Sequence, residues 1–330
     1  MVPMHTQRSD GALRLGLVGP GRTRNGLGPF LARHLERAGA RIVAVSGRTR
    51  ARTAAAAEEL ARDLGHPVAA HGGVDELVRH DGLHGLVIAA PIEAHLEALA
   101  AAAAARLPTL CEKPLVDPRQ LAEARRLVAT FASAGVPLLE NCQWPLAVAA
   151  LRRGGVVPSV APSDFAMRLS PAGRGRSMLV DSLSHFLSVL QGLDVLAESA
   201  QLERIEFSSR DPAAGAMVLE LGLRAADSDA SRRARAVSAR LELVHCPQQP
   251  RPAWLEFDGR RLERRLALPA YHWSFADGQS EHGIGDPQAE LAYSFVEILT
   301  HPSPDLVRRH AAAVTARAEL FTDIVGAHDR

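Results

Sequence analysis

Leu13-Arg14-Leu15-Gly16-Leu17-Val18-Gly19-Pro20-Gly21 is the stretch on which the fold turns. A short apolar run breaks at once into a glycine bend, which predicts a buried parallel strand entering a tight turn. Helical spacing follows over Phe30–Ala38, with Pro29 suited to the first turn and Gly39 to the C-terminal cap. Strand, glycine turn and helix in that order form the setting of a dinucleotide-binding fingerprint. Gly19 would make the turn, and Gly21 would let the backbone approach a pyrophosphate, with Pro20, Arg22 and Thr23 in the same loop. The third glycine of G-x-G-x-x-G would fall at residue 24, where Arg24 stands. The loop runs on through Asn25, Gly26, Leu27 and Gly28, so it is longer than the pattern, and Gly26 or Gly28 takes the close-packing position. A glycine turn that holds no nucleotide is the alternative.

Outward from this stretch, strands and helices alternate. Strands are expected at Arg41–Ser46, Gly85–Ala90, Leu107–Cys111 and Val136–Glu140. Helices are expected at Ala51–Leu64, Val74–Arg79, Ala94–Ala105 and Leu121–Ala134. Several strands are continuous apolar runs, which predicts a doubly wound parallel sheet of the Rossmann type. Past Trp144 the pattern becomes in/out alternation at Arg204–Ser208, Ala216–Leu223 and Ala236–Leu243, with Leu255–Phe257 and Arg261–Leu268 also extended. Helices are expected at Met178–Leu190, Pro287–Leu299 and Asp305–Val325. The fold class is α/β: an N-terminal Rossmann domain over residues 11–140, then a C-terminal α+β domain with a mainly antiparallel open sheet over 141–330. A cleft is expected between the halves.

Composition excludes several classes. The 330 residues are 47% hydrophobic and 23% charged, an ordinary globular balance for about two domains. A formal net charge of +1 gives no global field toward nucleic acid or membrane. Cys111, Cys142 and Cys246 are too few and scattered for a disulfide framework or a zinc site, so no metal is expected. The N-terminal stretch Met1–Ala12 has no apolar signal core, and the expected location is the cytoplasm. Lysine plus arginine number 38, and Lys113 is the only lysine, leaving 37 arginines. A lysine that persists on such a background points to chemistry arginine cannot do, because arginine does not give up its proton. Chance survival is the alternative.

The end of the second strand bears on the cofactor. An NAD site wants a carboxylate there, but Ser46-Gly47-Arg48-Thr49-Arg50 offers hydroxyls and guanidinium groups, which suit a ribose 2′-phosphate. NADP is therefore expected over NAD, with NADPH preferred to NADH. Ordinary helix-entry charge is the alternative reading of these arginines.

At Cys111-Glu112-Lys113-Pro114 the chain resembles the Gfo/Idh/MocA family of nicotinamide-dependent oxidoreductases. Ala90-Pro91-Ile92-Glu93-Ala94-His95 is similar to the family's T-P-N-x-x-H segment, and Asp181-Ser182-Leu183-Ser184-His185 to its D-x-x-x-H helix. The resemblance implies that Ala90, Pro91, His95, Glu112 and Lys113 belong to the cofactor site. It also implies that Lys113 meets substrate and cofactor, with Asp181 and His185 beside the nicotinamide. Gln143 and Trp144 lie in a segment where the family carries substrate contacts. The family often has glycines before the D-x-x-x-H helix, whereas here Gly173 and Gly175 lie in an arginine-bearing stretch with different spacing.

Asp181 and His185 are one helical turn apart, with Ser184 and Ser188 extending a polar stripe on an otherwise apolar helix. A carboxylate there can raise and orient the imidazole. The expected catalytic residues are His185 as the base for a hydroxyl proton, Lys113 as hydrogen-bond donor to the same oxygen, and Asp181 as orienter. The expected reaction is hydride transfer to or from a small polyol, sugar or related hydroxy, keto or imine compound. A redox-neutral elimination or epimerisation with retained cofactor, and a non-catalytic cofactor-binding regulator, are the alternatives.

Other clusters carry less. His80 and His84 read as loop, and Arg232–Arg240 as a solvated edge strand without aromatic partners for bases. Tyr271-His272-Trp273 and Trp144 fit a substrate cover, an interface or a core equally. The expected partners are a small-molecule substrate and a second copy of the chain, as a homodimer or homotetramer through the C-terminal sheet, with no nucleic acid and no membrane.

Overall fold

The computed structural model describes residues 11–21, 26–196, 201–211, 215–225 and 235–330. These gather into two compact units. One comprises the described residues through Cys111 together with 130–139 and 292–307, and the other 112–129, 140–291 and 308–330.

The first unit is built on β1 (Leu13–Val18), α1 (Leu27–Arg37), β2 (Ala40–Ser46), α2 (Arg50–Leu64), β3 (Ala69–His71), α3 (Val74–Leu77), β4 (Gly85–Ile88), α4 (His95–Ala104) and β5 (Thr109–Cys111). After α5 (Leu121–Ser133), β6 (Leu138–Glu140) completes a sheet that has six strands among the described residues, in the order β3-β2-β1-β4-β5-β6. β1 pairs in parallel with β2 on one side and β4 on the other. The strand order reverses there, which leaves a crevice at the carboxyl ends of the strands. Leu15, Leu17, Ile42, Val45, Leu86 and Val87 are fully covered, as expected of strands with helices on both faces. β3 is missing from the sequence reading because Ala-Ala-His carries no apolar run.

The second unit holds α6 (Trp144–Arg153), β7 (Asp164–Leu169), α7 (Arg176–Gly192), β8 (Gln201–Asp211), β9 (Ala216–Ala225), β10 (Arg235–Val244), β11 (Trp254–Phe257), β12 (Arg260–Ala267), β13 (His272–Ala276) and β14 (Glu281–Gly285). α8 (Pro287–Thr300) and α9 (Pro304–Asp329) close the chain. Among the described residues this sheet has eight strands, ordered β14-β13-β12-β11-β7-β10-β9-β8. β10 and β7 are parallel, and the other neighbours run antiparallel. One face packs its alternate residues, Phe165, Met167, Leu219, Leu241, Leu255 and Phe275 among them, against α6, α7 and α9.

Two readings change. β10 lies between β7 and β9, so Arg235–Arg240 belongs to an interior strand and not an edge. Arg240 and Glu242 sit on the outer face by alternation, while Val237, Ala239 and Leu241 fill the core and Arg235, in phase with them at the strand's start, bonds to the Ala161 carbonyl and the Ser163 hydroxyl. Arg232 and Arg233 lie outside the described residues. Trp144 and Trp273 are core residues, 2% and 1% exposed, and meet edge to face at 4.8 Å. No helix among the described residues is long and apolar enough to cross a membrane.

Candidate active site

In the first unit, Gly19 sits at φ +86°, and its amide donates to the Ser46 carbonyl at 2.9 Å. A Cβ at Gly19 would stand 2.7 Å from the Ala90 backbone nitrogen, so only glycine lets the turn close over the end of β4. Gly28 takes the close-packing position, since a Cβ there would meet the Gly19 carbonyl oxygen at 2.4 Å. Gly26 instead forms the N-cap of α1 in the left-handed region and has no side chain to cap it. Gly21 is exposed, with nothing within 4 Å of where its Cβ would be. An open glycine backbone, next to the uncapped amino end of a helix and at the switch point, fits a pyrophosphate. Arg22 and Thr23, also expected at the cofactor, lie outside the described residues, as do Arg24 and Asn25.

Ser46 is buried at the end of β2, and a Cβ at Gly47 would meet Thr53 Oγ1 at 2.9 Å. Thr49 Oγ1 accepts from the Arg52 amide at 3.4 Å, so its hydroxyl caps α2. Arg50 turns away to Glu76, 3.3 Å distant. Arg48 is exposed and has no side-chain partner among the described residues. Past β4, His95 is buried, and its Nε2 lies 2.9 Å from the Ala90 carbonyl, which fastens the Ala90–Pro91 turn. His95 thus braces the turn from inside.

The other expected residues meet in the second unit. Lys113 Nζ donates to the Asp181 carbonyl at 2.7 Å and to Asp181 Oδ1 at 2.9 Å. Glu112 Oε1 is 3.9 Å from the same ammonium. Asn141 Nδ2 donates to Glu112 Oε2 at 2.6 Å, and Gln288 Nε2 donates to Asn141 Oδ1 at 2.8 Å, so the chain of polar groups is braced from behind. Burial lowers the lysine pKa, but the facing carboxylates of Asp181 and Glu112 outweigh it and leave it raised. Burial pushes Glu112 up to about 7, against the pull of Lys113 and the Asn141 hydrogen bond.

His185 departs from the sequence reading. Asp181 was expected to raise the imidazole, yet His185 is pushed down to about 3, first by burial and then by the Lys113 charge, with Asp181 opposing. The Asp181 carboxylate is engaged with Lys113. His185 Nδ1 is buried with no hydrogen-bond partner among the described residues. A neutral imidazole with an open nitrogen beside a firmly charged ammonium can accept a proton while its neighbour donates a hydrogen bond.

Asp181 and His185 line a cavity of about 180 Å³ together with Gln143, Trp144, Ser182 and Tyr271. The polar stripe is therefore corrected: Ser182 reaches the cavity, whereas Ser188 Oγ bonds back to the His185 carbonyl at 2.8 Å. Tyr271 sits at φ +57° and bonds to Gln143, so its ring is fixed at the cavity wall. Sequence reasoning missed Arg251 and Arg264, which also line it. One signal was available for Arg264. It is in phase with Leu262 and Leu266 on β12 and so belongs to the inward face.

Residues 13–142 match a family model described as an oxidoreductase family with an NAD-binding Rossmann fold, Gfo/Idh/MocA. No curated protein matches the chain. Among solved structures, a probable dehydrogenase from Thermotoga maritima is similar, at 16% identity and a TM-score of 0.65 over 96% of this chain and 98% of that one. UDP-N-acetylglucosamine 3-dehydrogenase from Acidithiobacillus ferrooxidans aligns at 18% identity, TM-score 0.63, over 95% and 99%. A 3-ketoreductase from Actinomadura kijaniata in complex with NADP aligns at 19% identity, TM-score 0.64, over 94% and 96%. At such identities the likeness is one of fold. The glycine turn, the 3-2-1-4-5-6 strand order and the match over residues 13–142 agree in making the N-terminal part of this chain similar to the NAD-binding Rossmann fold of the Gfo/Idh/MocA oxidoreductases.

Proposed function

We propose that the protein is an NADP(H)-dependent oxidoreductase that moves hydride to or from a carbon bearing oxygen or nitrogen. The substrate class is a small polyol, sugar or related hydroxy, keto or imine compound. The observation that carries this reading is a pairing of opposite roles: Asp181 and His185 line one cavity, Lys113 is clamped as an ammonium on Asp181, and His185 is neutral with an unpartnered Nδ1.

Gly19, Gly21 and the amino end of α1 would hold the pyrophosphate, and Arg48 would meet the 2′-phosphate as a charge-assisted donor. Bound nicotinamide supplies the hydride acceptor or donor. In the oxidative direction the substrate hydroxyl gives its proton to His185, and Lys113 donates to the same oxygen. In the reductive direction Lys113 polarises the carbonyl and the imidazolium returns the proton. Asp181 fixes Lys113 in both directions, and Glu112, held by Asn141, adds negative charge behind it. Homodimer or homotetramer assembly through the outer face of the eight-stranded sheet and residence in the cytoplasm are part of the same proposal. The 3-ketoreductase that aligns over nearly the whole chain was solved with NADP, which supports the cofactor assignment.

Fluorescence titration with NADPH and with NADH tests the cofactor. NADPH should bind at least about tenfold tighter, and Arg48→Ala should erase most of that gap. Equal affinities in the unaltered protein overturn NADP preference. Lys113→Arg should lose turnover on polyols and sugars while NADPH binding is kept, because the longer planar fork cannot replace the point donor. Undiminished turnover in that variant removes Lys113 from the reaction.

A further inference from the structure

The cavity that His185 lines carries charge that the protein itself does not balance. Arg264 on β12 lies against two indoles, its guanidinium carbon 4.6 Å from the Trp273 ring centroid and 5.3 Å from that of Trp144. One of its terminal nitrogens donates to the Arg251 carbonyl at 2.7 Å. Its Nε is buried with no hydrogen-bond partner, and so is the Nε of Arg251 beside it. Among the described residues neither guanidinium forms an ion pair. Indole faces attract a cation but supply no counter-charge. Asp181 is the sole carboxylate among the described residues that line the cavity, and Lys113 already neutralises it. Arg317 in the same unit is paired by contrast, bonding to Glu140 and Gln191. Burying the Arg264 guanidinium beside a second one, without a counter-charge, is costly unless something else completes it. Arg264 is pushed down to about 10, by burial first, with Arg251 acting in the same direction against Tyr271.

We infer that Arg264 and Arg251 receive an oxyanion group of the substrate, a carboxylate or a phosphoryl group, in the cavity that His185 lines. The inference rests on the reading of this cavity as the substrate site and narrows it from small hydroxy or keto compounds to anionic ones. The forked guanidinium geometry of two arginines that line the same cavity suits two-point recognition of such a group. The cavity is smaller than the usual ligand pocket of about 300–1,000 Å³, so a single sugar ring or a shorter acid suits it. Trp144 and Trp273 flank Arg264 on the inward side, so occupancy should change their fluorescence.

The test is a tryptophan-fluorescence titration of the full chain, without cofactor and at constant ionic strength, with D-glucuronate, D-glucose 6-phosphate and D-glucose. At least one of the two anions should saturate at a dissociation constant tenfold or more below that of D-glucose, and which one does so separates carboxylate from phosphoryl recognition. Arg264→Gln should weaken that anion tenfold or more, to the level at which the same variant binds D-glucose. If that variant does not fold by circular dichroism, Arg251→Gln carries the same expectation. Anions that bind no tighter than D-glucose, or unchanged anion binding in a folded variant, overturn the inference. Turnover separates this from the broader reading. Hydride transfer on neutral polyols without anion preference leaves the oxidoreductase standing and removes the anion site. Anion binding without hydride transfer on any of the three compounds does the reverse.

Discussion

Arg317 and Arg264 are buried in the same unit, one against a carboxylate and one against two indoles. Around Arg317 the valences are closed. Glu140 accepts its Nε, Gln191 accepts a terminal nitrogen, and the Gln191 amide donates to the Ala313 carbonyl at 2.8 Å. Around Arg264 they are open, with unpartnered nitrogens on Arg264, Arg251 and His185. A fully satisfied polar cluster fixes a fold, because breaking it strands a buried charge. A cluster with open donors and acceptors gains nothing for the folded protein alone, and it becomes complete only when another molecule supplies the missing partners.

The contrast makes predictions that differ on the two sides. The largest effect should come from His185→Ala, on the open side. Removing the proton acceptor should cut turnover about 100- to 10,000-fold in steady-state assays while NADPH titration is unaltered. Retained turnover would break the comparison, since His185 would then be a core histidine. On the closed side, Arg317→Met should cost about 3–5 kcal/mol in urea unfolding, because it leaves Glu140 buried and alone. Arg264→Met leaves no carboxylate behind, and its cost should stay near the value of the lost cation–π contacts, up to about 2 kcal/mol. Equal losses for the two arginines would mean that Arg264 is a structural residue.

The smallest effect concerns Glu112, which stands between the two kinds of site. It is bonded by Asn141 yet raised by burial to about 7 from an ordinary 4.5. Between those values the folded chain holds a proton that the unfolded chain has lost, so stability falls as pH rises through that window. The contribution is complete below the unfolded value and is gone above about 7. Unfolding free energy followed across this range should decline by less than about 1.4 kcal/mol per pH unit from this group, and Glu112→Gln should flatten the slope. An unchanged slope in the variant would place the pH dependence elsewhere.

Legibility in the sequence divided along physical lines. The first sheet was readable because buried parallel strands are continuous apolar runs and glycine marks their turns. β3 escaped because three residues carry no period. Lys113 stood out as the only lysine, and Asp181 with His185 stood out by helical spacing. β7, β13 and β14 were missed because short alternating strands among turns resemble loops, as was α6, an amphipathic helix of ten residues. Arg264 was obscured among 37 arginines, and only its phase with Leu262 and Leu266 set it apart.

The sequence by itself determined the strand–turn–helix rhythm of the nucleotide-binding part, the change to an antiparallel sheet after Trp144, and which side chains were chemically able to act. These are local properties, written in periodicity, glycine placement and residue type. Only the tertiary structure decided how those side chains are charged and paired. Asp181 engages Lys113, burial rather than the nearby carboxylate sets the state of His185, and Arg264 comes to face the same cavity from a strand about 80 residues further along. Desolvation and pairing depend on what surrounds a group in space, and neighbours distant in sequence supply those surroundings.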